Sequence, residues 1–223
     1  EYGIGNGVSI IIFAGIVATL PTTVMQLVFS YDPSQLPLYL AATAVTLVVT
    51  YAVVVMTEAE RPVPITYAKS ARGGKTYGGT QTYLPLRLNQ AGVIPIIFAL
   101  SILLFPQMLV NILASFNIGW VSTASNYVLE FFNNLPLYAA TFFVLVFAFT
   151  FFYTAVTFDP EAVSKNLQRG GAFIPGIRPG NQTAEYLGNL VTRLTLVGAL
   201  FLSAVAVLPI GMQIVTGVAA LAI

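Results

Sequence analysis

Apolar residues along this chain fall in long continuous runs, not in the strict alternation of a half-buried strand, so the pattern selects helices. A hydrocarbon layer of about 30 Å takes roughly 20 helical residues to cross. Five runs reach that length, and they predict spans near Val8–Phe29, Leu36–Met56, Gly92–Leu113, Leu135–Phe158 and Leu194–Val215, separated by polar loops over 57–91 and 159–193. Within the first loop, Val63–Lys69 and Thr76–Leu86 are rich in Thr, Tyr and branched residues around Ser70-Ala71-Arg72-Gly73-Gly74, which predicts a β-hairpin with Arg72 and Lys75 at its tip. The second loop opens with Asp159 as an N-cap and Pro160 at the first helical position, and its short helix is expected to stop at Gly170-Gly171. Pro175-Gly176-Ile177-Arg178-Pro179-Gly180 follows, and a helix is expected to resume near Thr183. Two prolines fix their own φ and two glycines permit sharp turns, so Arg178 should sit on a stiff, exposed corner.

Composition turns this pattern into a fold class. The 223 residues are 57% hydrophobic and only 8% charged, against about a quarter charged in a soluble domain. Water does not wet so apolar a surface, whereas hydrocarbon does once every backbone amide is paired inside helices. The expectation is an all-α membrane protein, a polytopic transmembrane helix bundle of about five spans with a hairpin-like loop. The chain opens on Glu1 instead of Met, and the expectation is a segment of a longer protein.

Net charge is only +1, but its distribution is lopsided. Arg61, Lys69, Arg72, Lys75 and Arg87 follow the second run, while Lys165, Arg169, Arg178 and Arg193 follow the fourth; the other two connections hold no Lys or Arg. The two basic loops must share a side. Cytosolic loops collect Lys and Arg, so both are expected in the cytosol, with the N-terminus inside and the C-terminus outside.

Several chemistries are absent. There is no His and no Cys, hence no disulfide, thiol nucleophile or zinc site, and neither a cofactor nor a metal is expected. The runs carry no ionisable residue near their middle, which argues against a proton-coupled transporter, although backbone carbonyls can bind sodium. Nor do they carry the paired aspartates, Ser-base pair or metal cluster of an intramembrane hydrolase, so no catalytic residue is expected. Gly3-x-Gly5-x-Gly7 looks like a nucleotide fingerprint, but no strand precedes it. Gly92, Pro95 and Pro106 interrupt the third run, either as a hinge or as prolines that membrane helices simply tolerate.

Three strings are more specific: Gly3-Ile4-Gly5-Asn6-Gly7-Val8-Ser9-Ile10 continuing to Val17, Leu84-Pro85-Leu86-Arg87-Leu88-Asn89-Gln90-Ala91-Gly92-Val93-Ile94-Pro95, and Gly171-Ala172-Phe173-Ile174-Pro175-Gly176-Ile177-Arg178-Pro179-Gly180. With Phe151–Ala155 and Thr192–Leu200, they closely resemble the SecY family, the pore-forming subunits of the bacterial Sec protein-conducting channel. The likeness runs in order over nearly the whole chain. It implies the fifth to ninth of ten spans, without the family's plug and one wall of its lateral gate.

The resemblance also implies roles. Val8 and Ile12 match fifth-span members of the hydrophobic pore ring and Ile97 the seventh-span member; Ser101 matches a polar position on the lateral-gate helix, the gate helices here being the third and fourth runs. Without it, the four-residue spacing of Val8 and Ile12 reads simply as a lipid-facing or packing face. The basic loops match the docking surface for the ribosome and the SecA motor ATPase, with Lys69, Arg72, Lys75 and Arg178 as its cations. Pro62 stands where relatives commonly carry a second basic residue after Arg61. The implied partners are SecE and SecG, SecA, the ribosome, signal sequences, nascent polypeptides and membrane lipids, in the bacterial inner membrane. Against this channel reading stand a secondary transporter of a small solute and a membrane scaffold without a conduit.

Overall fold

The computed structural model describes residues 7–29, 36–68, 70–72, 75–77, 79, 81–114 and 128–216. In chain order the elements are α1 (Gly7–Phe29), α2 (Leu36–Glu58), β1 (Glu60–Tyr67), β2 (Ser70–Arg72), β3 (Lys75–Tyr77), β4 (Gln81–Arg87) and α3 (Ile94–Ala114). There follow α4 (128–133), α5 (Leu135–Thr157), α6 (Pro160–Arg169), β5 (Ala172–Phe173) and α7 (Asn181–Thr216). Among the described residues, four helical stretches are long and apolar enough to cross a membrane, namely Leu36–Glu58, Ile94–Ile112 and windows within Leu135–Arg169 and Asn181–Ile214; α1 adds the apolar stretch Ile10–Thr22.

The membrane core is a three-helix bundle. Ala99 and Leu103 of α3, Phe142 and Val146 of α5, and Leu202 of α7 form one buried cluster, flanked by Phe131, Tyr138, Phe149 and Ile210. Three buried hydroxyls of this interior are satisfied within their own helix. Thr150 donates to the Val146 carbonyl at 2.7 Å, Thr154 to Thr150 at 2.8 Å and Ser203 to Ala199 at 2.7 Å. That back-bonding removes the cost of an unpaired donor in an apolar medium. In contrast, α1 and α2 bury no described side chain, and α2 meets the bundle along α7.

At one end the polar loops build a second core. β1 pairs antiparallel with β4 from Glu60–Arg87 to Thr66–Gln81, and β2 with β3 from Ser70–Tyr77 to Arg72–Lys75. Both ladders keep the same register, so strand pairing runs farther toward the tip than the composition predicts. Ser70–Arg72 belongs to a strand, which corrects the expected five-residue turn. β5 then adds to the free edge of β1 through Thr66–Phe173 and Tyr67–Ala172, giving the sheet order β4-β1-β5. Val63 and Leu86 of the hairpin pack with Ile174 of the second loop and with Leu187, Leu190 and Val191 of α7.

The α7 helix explains how the two cores are joined. It runs unbroken for 36 residues, about 54 Å at 1.5 Å per residue, well beyond a hydrocarbon layer of about 30 Å. Its first turns, which also carry Glu185 and Arg193, serve the apolar core under the loops; its later turns serve the bundle. The helix therefore begins at Asn181, well before the run that starts at Leu194, as the turn chemistry near Thr183 implies. Helix α3 starts at Ile94, so Gly92 precedes it, Pro95 lies in its first turn, and Pro106 alone interrupts it. This corrects the reading in which all three residues break the span.

Helix α6 is set by its cap. Asp159 Oδ1 accepts from the backbone N–H of Glu161 at 2.9 Å and of Ala162 at 3.1 Å, and Pro160, having no N–H, needs no acceptor at that position. Asp159→Ala is expected to cost about 1 kcal/mol, seen as a lower thermal midpoint in detergent, while Asp159→Asn retains most of it.

Candidate functional site

The positively charged end of the molecule is assembled from both polar loops. β5 holds the second loop to the hairpin, and the Ala68 N–H donates to the Gly171 carbonyl at 2.8 Å beside that ladder. Beneath the sheet, Ile177 joins the same apolar core as Leu84, Val163 and Leu167. Arg61, Arg87, Lys165, Arg169 and Arg178 therefore ride on one folded platform, not on two independent tethers.

Arg178 sits on the most constrained part of it. Gly176 at φ +84° and Gly180 at φ +101° adopt left-handed conformations that a Cβ disfavours, and they bracket Arg178 and Pro179. The Ile177 N–H donates to the Ile174 carbonyl at 3.1 Å. Thr183 Oγ1 donates to the Arg178 carbonyl at 2.9 Å, and the buried Ser164 Oγ donates to the Gly180 carbonyl at 2.7 Å. Two hydroxyls, one from α6 and one from α7, thus clasp the corner while the Arg178 side chain stays exposed.

Ion pairs leave much of the platform's charge available. Arg87 pairs with Glu60 at 3.2 Å across the β1–β4 ladder, and Lys165 with Glu161 at 3.2 Å one turn along α6. Both pairs are exposed and weak. Among the described residues Arg61, Arg169 and Arg178 make no ion pair. The register sets Arg72 opposite Lys75 at the tip; their side chains, and Lys69 altogether, lie outside the described residues.

The apolar candidates are placed differently. Ile97 is in the first turn of α3 and 43% exposed, and Ser101, one turn on, donates its hydroxyl to the Ile97 carbonyl at 2.8 Å. These two therefore share a helix face, with the Ser101 donor already used. Ile12 is 44% exposed on α1. Val8 lies in the first turn of α1, its side chain outside the described residues. No group of three or more His, Cys, Asp or Glu side chains comes together among the described residues.

Two positions escaped sequence reasoning. Ser164 and Thr183 hold the Arg178 corner, yet nothing in their local pattern marks them, because each partner carbonyl is supplied by the loop's folded path. The two-residue strand β5 is equally silent, being too short for any periodicity.

A helical bundle with four candidate spans, joined by polar loops folded together at one end, is a multi-pass membrane protein. The sequence model of the SecY family matches residues 1–223, and the chain belongs to that family. Curated relatives named Protein translocase subunit SecY are similar to it: that of Vibrio cholerae is 42% identical over 215 residues, covering 94% of this chain and 48% of the relative. The Escherichia coli K12 protein of that name is 43% identical over 215 residues (94% and 47%), and that of Mycobacterium leprae 40% over 214 (94% and 48%). The chain spans about half the length of the curated relatives it matches.

Proposed function

We propose that this chain forms the second-half wall and cytosolic docking platform of the central channel subunit of a Sec translocon. The complete subunit passes unfolded secretory polypeptides across the bacterial inner membrane and releases transmembrane segments into it. The observation that carries this reading is the platform: β5 and the shared core of Val63, Leu86, Ile174 and Leu187 fuse two cationic loops into one rigid surface. A surface of that size, charge and stiffness suits a large partner. The SecA motor ATPase would use shape as well as charge at Arg178, and the phosphate-rich ribosome would favour Lys69, Arg72 and Lys75 through salt-sensitive contacts.

Both loops face the cytosol in this reading, because cationic loops are retained there. Val8, Ile12 and Ile97 supply this half's share of an apolar constriction, closed by the half of the subunit that this chain does not span. Aliphatic side chains close around a moving chain without offering it hydrogen bonds, and a narrow apolar constriction dewets and blocks ions. Helices α3 and α5, with Ser101, form one side of a lateral gate to lipid. SecE and SecG complete the complex. The conduit is passive, its drive coming from the motor, the ribosome or the membrane potential.

The test uses the full-length subunit with its partners in vesicles. Signal-sequence-dependent export of a polypeptide supports the channel, whereas saturable uptake of a small solute without such export sinks it. A scaffold without a conduit would leave an arrested nascent chain uncrosslinked to probes at Val8, Ile12 and Ile97.

A further inference from the structure

Where the hairpin leaves the platform, backbone meets backbone. A Cβ built on Gly198, in the middle of α7, would lie 2.6 Å from the carbonyl oxygen of Leu88 and 3.5 Å from its carbonyl carbon. No side chain occupies that gap to yield, so only the main chain could give way. Gly211, in the same helix, has open space around its Cβ position, so the constraint belongs to residue 198 and not to α7 as a whole.

Leu88 is a junction. Its N–H donates to the Ala59 carbonyl at 3.0 Å, beyond the last β1–β4 pair, and the Ala59 N–H in turn donates to the Val55 carbonyl of α2 at 2.9 Å. On its other side the chain reaches α3 within six residues. Asn89 Oδ1 accepts from the Gly92 N–H at 3.0 Å, Gly92 takes φ +63°, and Ala91 and Pro95 are buried. Ala199, the next residue of α7, is fully buried, and small residues let main chains approach closely.

We infer that Gly198 is a positioning residue, the seat on which the Leu88 carbonyl rests, and that this seat fixes the start of α3 relative to the docking platform. The platform core already holds the hairpin to α7 through Leu187, Leu190 and Val191. The Gly198 contact extends that hold by backbone alone to the last residue before the turn into α3. A load taken up by the platform thereby reaches α3 through five residues, Asn89–Val93, with a left-handed glycine as their one swivel. For its functional consequence the inference rests on the proposed docking role; for its geometry it does not.

These 223 residues hold no cysteine, so once any cysteine elsewhere in the full-length protein has been replaced, introduced cysteines carry the labels alone. In the full-length protein in lipid nanodiscs, spin labels at Tyr83→Cys and Phe98→Cys report platform to α3, and labels at Tyr83→Cys and Tyr186→Cys report platform to α7. All three positions are exposed. With Gly198 intact both distance distributions should be narrow. Gly198→Ala should displace or broaden the first by about 1 Å or more, the gap between 2.6 Å and an ordinary contact of 3.4–4 Å, and Gly198→Val further, with the second unchanged. Gly211→Ala should change neither. A first distribution that is already broad in the parent protein, or one indifferent to Ala and Val at 198, overturns the inference. If Gly198→Ala does not accumulate, the parent distribution decides alone. Export in the same preparation separates the two ideas: parent protein that shows the narrow distances but no export sinks the channel reading and leaves the seat intact.

Discussion

Arg178→Glu in the full-length subunit should lower motor-driven export at least about tenfold, the scale of reversing one partner of a close interfacial charge pair, while membrane insertion and abundance stay near the parent level. The asymmetry follows from where the side chain sits. Arg178 is exposed and makes no ion pair among the described residues, so its removal leaves no buried partner uncompensated and no core atom displaced. Its backbone, in contrast, is clasped by Thr183 Oγ1 and bracketed by the left-handed Gly176 and Gly180. A partner therefore meets the guanidinium already positioned and loses little entropy in ordering it. Arg178→Lys should recover only part of the activity, since a point charge replaces a planar fork. Export unaltered by Arg178→Glu would remove the corner from the docking surface; loss of export accompanied by loss of the protein from the membrane would make the residue structural.

The corner also shows what a single sequence discloses and what it withholds. Prolines and glycines at 175, 176, 179 and 180 dictate local backbone angles, so the turn and the exposure of Arg178 are legible from residue types alone. The same holds for the Asp159 cap and for the apolar runs, whose length against the bilayer is a local property. What joins the loops is not local. β5 is two residues long and earns its place only because the edge of β1 is there to receive it. Ser164 and Thr183 look like ordinary polar helix residues until the loop's carbonyls arrive beside them. Gly198 reads as one of many membrane-helix glycines until Leu88 is found against it. The pore-ring positions are a different case. Ile12 and Ile97 resemble any lipid-facing aliphatic, and the roles proposed for them come from resemblance alone.

The largest stability effect is expected at Leu187. Its side chain is fully buried, at 0% exposure, in the core shared by the hairpin, the second loop and the first turns of α7. Truncating it to Ala removes buried methyl groups and leaves a cavity under both loops, a loss of about 2–5 kcal/mol. The bundle core lies farther along α7 and contains none of the same residues, so the damage should stay at the platform. Where opening and closing are fast relative to cleavage, protease sensitivity follows the open population, and about 2 kcal/mol corresponds to roughly a 30-fold rise. Because β1–β5 pairing and a common core make the loops one unit, cleavage within 57–91 and within 159–193 should rise together. A Leu187→Ala protein in which one loop becomes sensitive and the other keeps its parent resistance would show two separate structures, and the single docking surface would lose its basis. Leu196, exposed on the same helix, supplies the control: its change to Ala should leave both loops as they were.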